Sequence, residues 1–250
     1  AGVADDDAVH GWLLLERGLV LKEYGRIDES LEVLQRAADK SKTQPASLLQ
    51  MRVHAARAFQ RSARGEREAA KQDVEEGIRV GRELHVRDAA WHVAMARLKD
   101  AEGAIHFHGG ELAKAEEAYK AALELRELAG DTAGMPDGFV NLGGVAYTRG
   151  DFTAAALYYE RALAAAKKAR WLAREAIGHS NLGQAKLALG EHEVAASELD
   201  LACKLADEGG YLDVLADSAR ALAEVELARS NVDLAVVRAD AAIEAAEKSK

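Results

Sequence analysis

Apolar residues recur along this chain at helical spacing, in runs separated by short polar turns, and the pattern predicts helices almost throughout. The expected helices lie near 6–24, 27–41, 45–64, 67–85, 88–108, 111–129, 136–149, 152–169, 172–189, 192–208, 211–229 and 232–248. Residues 141–166, NLGGVAYTRGDFTAAALYYERALAAA, display the unit most clearly: a helix, a tight Gly150-Asp151 turn and a second helix. With Gly150 as a ruler, equivalent turns fall at Gly25, Gly65, Gly110, Gly190 and Ser230. Taken in chain order, the six lie 40, 45, 40, 40 and 40 residues apart. A fixed period in this range marks stacked repeats. Glycine readily takes the positive φ that closes a helix. In the last copy Asn231, which tolerates that conformation better than most residues, is expected to substitute.

Fixed offsets from the turn carry a second signal. Seven residues before it stand Gly18, Ala58, Gly103, Gly143, Gly183 and Ala223. Five after it stand Ser30, Ala70, Ala115, Ala155, Ala195 and Ala235, and twelve after it Ala37, Gly77, Ala122, Ala162, Ala202 and Ala242. Small residues there let two antiparallel helices approach closely. Nine after the turn, Leu34, Val74, Tyr119, Tyr159 and Leu199 would fill the space that remains, with Ala239 breaking the column.

The periodicity therefore implies six helical hairpins in one array over 1–250, with repeats near 6–41, 45–85, 88–129, 132–169, 172–208 and 211–248. Glu111, Asp151 and Glu191 open second helices, where a carboxylate meets the positive end of the helix dipole. Gly130, Gly134 and Pro136 mark the loosest joint, since proline is tolerated only near a helix start. The five extra residues between Gly65 and Gly110 lengthen the first helix of repeat three, or else form a bulged loop near 86–88.

Composition narrows the function. Two prolines and abundant alanine suit an all-helical chain. A net charge of -9 disfavours broad nucleic-acid or anionic-membrane binding. Apolar runs are far too short to span a bilayer, which predicts no membrane insertion. No secretory leader is visible, and the single cysteine, Cys203, excludes an internal disulfide. A cytoplasmic location is the expectation.

Asn141-Leu142-Gly143 and Asn181-Leu182-Gly183, with Gly150-Asp151-Phe152, Ala155, Tyr159 and Ala162, resemble the tetratricopeptide repeat. The resemblance covers nearly the whole chain and is strongest in repeats four and five. It weakens in repeats one and two, where Arg17 and Arg57 stand in the place of Leu142 and Leu182. The 40-residue spacing is longer than the family's usual one and is similar to repeats of bacterial signalling and transcription regulators and of animal spindle-orientation scaffolds. The resemblance implies a right-handed α-solenoid, with first helices lining a concave face.

No residue pattern suggests catalysis, a metal or a cofactor. His106 and His108, two apart on a helix, point in nearly opposite directions and cannot share a metal ion. No His-Glu-x-x-His or Cys-x-x-Cys spacing occurs. Cys203 falls in a column with Leu123, Leu163 and Ile243 and reads as a small core residue. The run Asp5-Asp6-Asp7 reads as a solvated lead-in that caps the first helix.

The expected site is the groove. Nine residues before the turn, Asn141 and Asn181 hold the place from which family members hydrogen-bond a bound peptide's main chain. Each could instead tie neighbouring helices together. Chaperone-tail clamps of the family carry a lysine four residues before the first such asparagine and a Lys–Arg pair in the third clamp repeat; here Asp137 holds the first place and Asp217 and Ala221 the second, so the charges have the wrong sign. The acids hint instead at a basic element in the ligand. Tyr147, Gln184, Arg220, His108 and Arg97 complete the expected groove, with Thr148, Phe107, Asp100, Arg52 and Glu224 beside them. The reading is a non-catalytic protein-interaction module, binding a peptide or helical segment as part of a larger regulatory protein. A ligand-sensing domain and a self-assembling scaffold are the alternatives, and the oligomeric state stays open.

Overall fold

Alternating close-packed and space-filling positions require helices in pairs, and pairs are what the computed structural model contains. It describes residues 2–41 and 45–249; the side chains of residues 2–8 and of Glu23 lie outside the described residues. The capping expected of Asp5-Asp6-Asp7 therefore lies outside them too.

The chain divides into two compact units, Ala1–Asp131 and Thr132–Lys250, at the joint marked by Gly130, Gly134 and Pro136. The first unit holds α1 (Gly2–Glu23), α2 (Ile27–Ser41), α3 (Leu48–Ala63), α4 (Arg67–Glu83), α5 (Ala89–His108) and α6 (Leu112–Ala129). The second holds α7 (Met135–Thr148), α8 (Phe152–Ala169), α9 (Leu172–Ala188), α10 (His192–Gly209), α11 (Leu212–Ala228) and α12 (Val232–Lys248). Each unit is an all-α solenoid of three hairpins. Within each, the second helix of a hairpin packs on its own first helix and on the first helix of the next hairpin.

The hairpin turn is the same structure six times. Gly25, Gly65, Gly110, Gly150, Gly190 and Ser230 have φ of 71, 77, 74, 83, 77 and 65°. In each, the next residue's N–H reaches back to the last turn of the first helix; Asp151 N–H, for example, donates to the Ala146 carbonyl at 2.9 Å. One expectation is corrected. Ser230 itself takes the left-handed conformation, while Asn231 sits at φ -91° and its side chain donates to Glu226 Oε2 at 2.7 Å.

A second ruler appears between hairpins. Gly130, Arg170 and Gly210, 40 residues apart, all have positive φ, at 65, 53 and 69°. The arginine hid this column from a search for glycine.

Carboxylates behave unequally at the second helices. Asp151 caps α8 by accepting from Ala154 N–H at 3.0 Å. Glu111 and Glu191 make no capping hydrogen bond. They are engaged instead by cations: Glu111 by Arg67 and by Lys114 at 2.6 Å, Glu191 by Lys186 at 3.0 Å. The five extra residues of repeat three are divided between both expected places. Helix α5 has 20 residues against 17 in α9, and residues 84–88 connect α4 to it where only 170–171 connect α8 to α9.

The small and large columns meet inside each hairpin. A Cβ built on Gly103 would stand 2.5 Å from Tyr119 Cε1, and one on Gly183 would stand 2.5 Å from Leu199 Cγ. Gly18 abuts Leu34 and Gly143 abuts Tyr159 in the same way. Where the small position is alanine, the partner column shrinks: Ala58 is matched with Val74, Ala223 with Ala239.

The weak match of repeat two has a physical cause. Arg57, in the column of Leu142 and Leu182, is buried beside the buried carboxylate of Asp73. Asp73 also receives Arg61 Nη1 at 2.6 Å and lies 2.9 Å from His54 Nδ1. An ionic cluster thus replaces aliphatic packing. Burial pushes the Arg57 guanidinium below its usual range, against the pull of Asp73. His179 and Glu198, at the offsets of His54 and Asp73, repeat the pairing in repeat five at 2.6 Å.

The last helix carries apolar residues at its surface beside its charged ones. In α12, Ala235 and Ala245 are the buried residues, whereas Val236, Val237 and Ile243 are exposed.

Candidate functional site

First helices carry the expected groove residues. In the second unit α9 adjoins both α7 and α11, so equal offsets on these helices form rows across neighbouring repeats. Asn141 on α7 and Asn181 on α9 occupy one such row and are both half-buried. Among the described residues neither side-chain amide has a hydrogen-bond partner within the chain. Their donors and acceptors remain open to an incoming group.

The residues around them are more engaged than the sequence suggested. Asp137 on α7 forms an ion pair with Arg174 on α9, Nε to Oδ1 at 2.6 Å, and the Arg174 guanidinium stacks 4.6 Å above the Trp171 ring. The charge of Asp137 is thereby met inside the protein, and Asp217, exposed on α11, is the more open of the two acids. Gln184 donates weakly to Ser180 Oγ at 3.4 Å, and Ser218 Oγ donates to the same hydroxyl at 3.0 Å, joining α9 to α11. Arg220 pairs along its own helix with Glu224 at 2.5 Å. Tyr147 sets its ring edge-on to Phe152, centroids 5.1 Å apart, at the hairpin turn.

Five expected residues belong to the first unit: Arg52, Arg97, Asp100, Phe107 and His108. His108 Nδ1 lies 2.9 Å from Ser62 Oγ and so links α5 to α3. Arg97 is exposed on α5. Arg52 on α3 stacks 4.9 Å above Trp12 and donates to Glu16 Oε1 at 3.0 Å. Burial, and then the like charge of Arg97, push the Arg52 guanidinium down. The stack on Trp12 was missed in the sequence. Its signal was the offset thirteen before the turn, which holds Trp12, Arg52 and Arg97 in the first three repeats.

Cys203 is half-buried against Ala195, Leu199 and Leu222, and burial pushes its thiol up to about 11. Among the described residues no cluster of His, Cys, Asp and Glu could hold a metal ion, and no helix is long and apolar enough to cross a membrane.

Stacked antiparallel hairpins with small-to-large interlocking define a helical-repeat solenoid. Residues 89–168 match the model of the tetratricopeptide repeat family. No curated protein sequence matches the chain. Among solved structures, it resembles BtubC (BKLC) from P. vanneervenii at 20% identity and a TM-score of 0.69, over 94% of this chain and 91% of that one. It also resembles a STAND ATPase with a tetratricopeptide repeat sensor from Pyrococcus horikoshii, at 15% identity and a TM-score of 0.73. That match covers 95% of this chain but only 36% of the other. Aspartyl phosphate phosphatase F from Bacillus subtilis is similar at 10% identity and a TM-score of 0.69, over 96% of this chain and 71% of that one. At these identities the likeness is one of fold.

Proposed function

We propose that the chain is a non-catalytic protein-interaction module that holds an extended or helical protein segment against the first helices of its second unit. One observation carries the reading. Asn141 and Asn181 stand at equivalent positions on adjacent first helices, half-buried, with amides that no residue of the chain satisfies among those described. A buried or half-buried amide gains from a partner, and two amides one repeat apart suit successive peptide groups of a bound main chain. Tyr147 and Gln184 flank the row, Asp217 offers a negative charge to a basic residue of the ligand, and Arg220 is its neighbour. Arg97 and His108 form a separate surface of the first unit. A regulatory setting in the cytoplasm belongs to this reading, and the sensor in the Pyrococcus horikoshii neighbour offers a parallel.

The test is affinity capture followed by titration. Protein partners held by the unaltered chain should be lost, or weakened at least tenfold, with Asn141→Ala and Asn181→Ala combined, while the helical spectrum stays unchanged. Equal affinity for the two forms would move the site elsewhere.

A further inference from the structure

Helix α7 carries two adjacent glycines in opposite surroundings. Gly143 is closed off by the Tyr159 ring. Gly144, inside the same helix, meets nothing: a Cβ built on it would have no neighbour within 4 Å. Gly18, Gly77, Gly103, Gly178 and Gly183, by contrast, would each bring a Cβ to 3.3 Å or less from a side chain on a facing helix. Gly144 has no positive φ either. Neither packing nor backbone conformation therefore calls for glycine there, and glycine is the poorest helix former after proline. The same column, six before the turn, otherwise holds Leu19, Phe59, Ala104, Gln184 and Glu224.

Gly144 leaves the backbone of α7 bare at one point of the candidate groove. Residues three and four apart on a helix share a face, so Val140, Asn141 and Tyr147 surround it, and all four residues are half-buried. A missing side chain lets a second backbone approach closely. No part of the described chain takes up that approach.

The neighbouring amides say what kind of backbone fits. An α-helix uses its N–H and C=O groups internally, so Asn141 and Asn181 would find no main-chain partners along a bound helix. An extended chain leaves those groups free and rises about 3.3 Å per residue. Three of its residues span about 10 Å, close to the 8–10 Å between the axes of packed helices. One peptide group then reaches Asn141 and a later one reaches Asn181.

We infer that Gly144 is a contact point for the bound segment, which is extended there and lays its main chain directly on α7. This rests on the amide row being the ligand site. It adds that a side chain at position 144 lifts the segment off that row, so glycine is kept for the ligand and not for the fold.

Short random peptides displayed on phage, selected on the immobilised full chain and then synthesised with a fluorophore, are the probes. Gly144→Ala should raise the melting temperature of the unliganded chain, because alanine is the better helix former and its methyl group meets open space. The same substitution should weaken peptide binding at least tenfold, and Gly144→Leu should weaken it further. Transferred NOEs should show the strong Hα to next N–H contacts of an extended chain. A lower melting temperature for Gly144→Ala makes Gly144 a packing residue and overturns the inference. So do sequential N–H to N–H contacts, the mark of a bound helix, and so does a failure to enrich any peptide over the bare support. Peptides released by Asn141→Ala with Asn181→Ala but not by the Gly144 variants overturn it and leave the proposed site standing. Peptides indifferent to all of these substitutions overturn both readings. Loss with Gly144→Ala but not with the asparagine pair upholds the contact and removes the amides from the proposed site.

Discussion

Gly103 on α5 lies against the ring of Tyr119 on α6, with room for no side-chain atom: a Cβ on Gly103 would stand 2.5 Å from Cε1. The aromatic ring supplies the volume that the missing side chain leaves. Tyr119 is buried, and burial raises its phenol well above the usual range. Gly103→Ala should destabilise the protein by about 1–3 kcal/mol, because overpacking outweighs the gain of up to roughly 1 kcal/mol in helix propensity. Adding Tyr119→Val, which recreates the Ala58 and Val74 combination of repeat two, should recover part of the loss. Urea unfolding of the two single variants and the double variant measures the coupling; strict additivity would refute the contact.

Arg170 occupies a left-handed position, φ 53°, that is glycine in the equivalent turns at Gly130 and Gly210. A residue with a Cβ is strained there by about 1–2 kcal/mol, and glycine loses roughly 0.5–1 kcal/mol in chain entropy. Arg170→Gly should therefore raise stability by about 0.5–1 kcal/mol. Thermal unfolding checks this, and a lower midpoint would argue against strain.

Gln60 is 2% exposed, and neither atom of its amide has a hydrogen-bond partner. Its column, five before the turn, is otherwise Val20, Ile105, Val145, Ala185 and Val225. An unsatisfied buried amide costs about 1–3 kcal/mol. Gln60→Leu should stabilise the first unit by an amount in that range, read from denaturant midpoints at constant slope. Gln60→Glu should act in the opposite direction, since it buries a charge.

Cys203, with its thiol pushed up to about 11 by burial, stays protonated at neutral pH. Thiolate is the reacting form, so alkylation at pH 8 should run roughly two orders of magnitude slower in the folded protein than in urea. The folded rate should climb steeply only as pH approaches 11. Equal rates in both states would show that the side chain is not shielded.

The repeat architecture was legible because it is written redundantly. Gly150 alone marks a turn, but six positions at a near-constant period mark a solenoid, and the helix boundaries follow to within a few residues. Contact chemistry was less legible because it depends on which neighbour a side chain finds. Nothing next to Asp137 in sequence announces Arg174, 37 residues away, and the ion pair offsets one of the two negative charges that had suggested a basic ligand. Arg57 read as a flaw in repeat two until Asp73 stood beside it. Arg170 hid a turn because its backbone, not its residue type, performs the role. Val236 and Ile243 went unnoticed among the charges of α12 because charge is visible in sequence and burial is not.

The matching of Gly103 to Tyr119, Gly143 to Tyr159, Ala58 to Val74 and Ala223 to Ala239 has a meaning for how the chain finds its structure. The twelve similar helices of the described residues offer one another many wrong partners during folding. A glycine helix closed on an alanine partner leaves a void, and an alanine helix closed on a tyrosine partner collides. Glycine-bearing first helices are therefore keyed to second helices with a large residue, and alanine-bearing ones to second helices with a smaller one, so the repeats, though alike in period, are not all interchangeable parts.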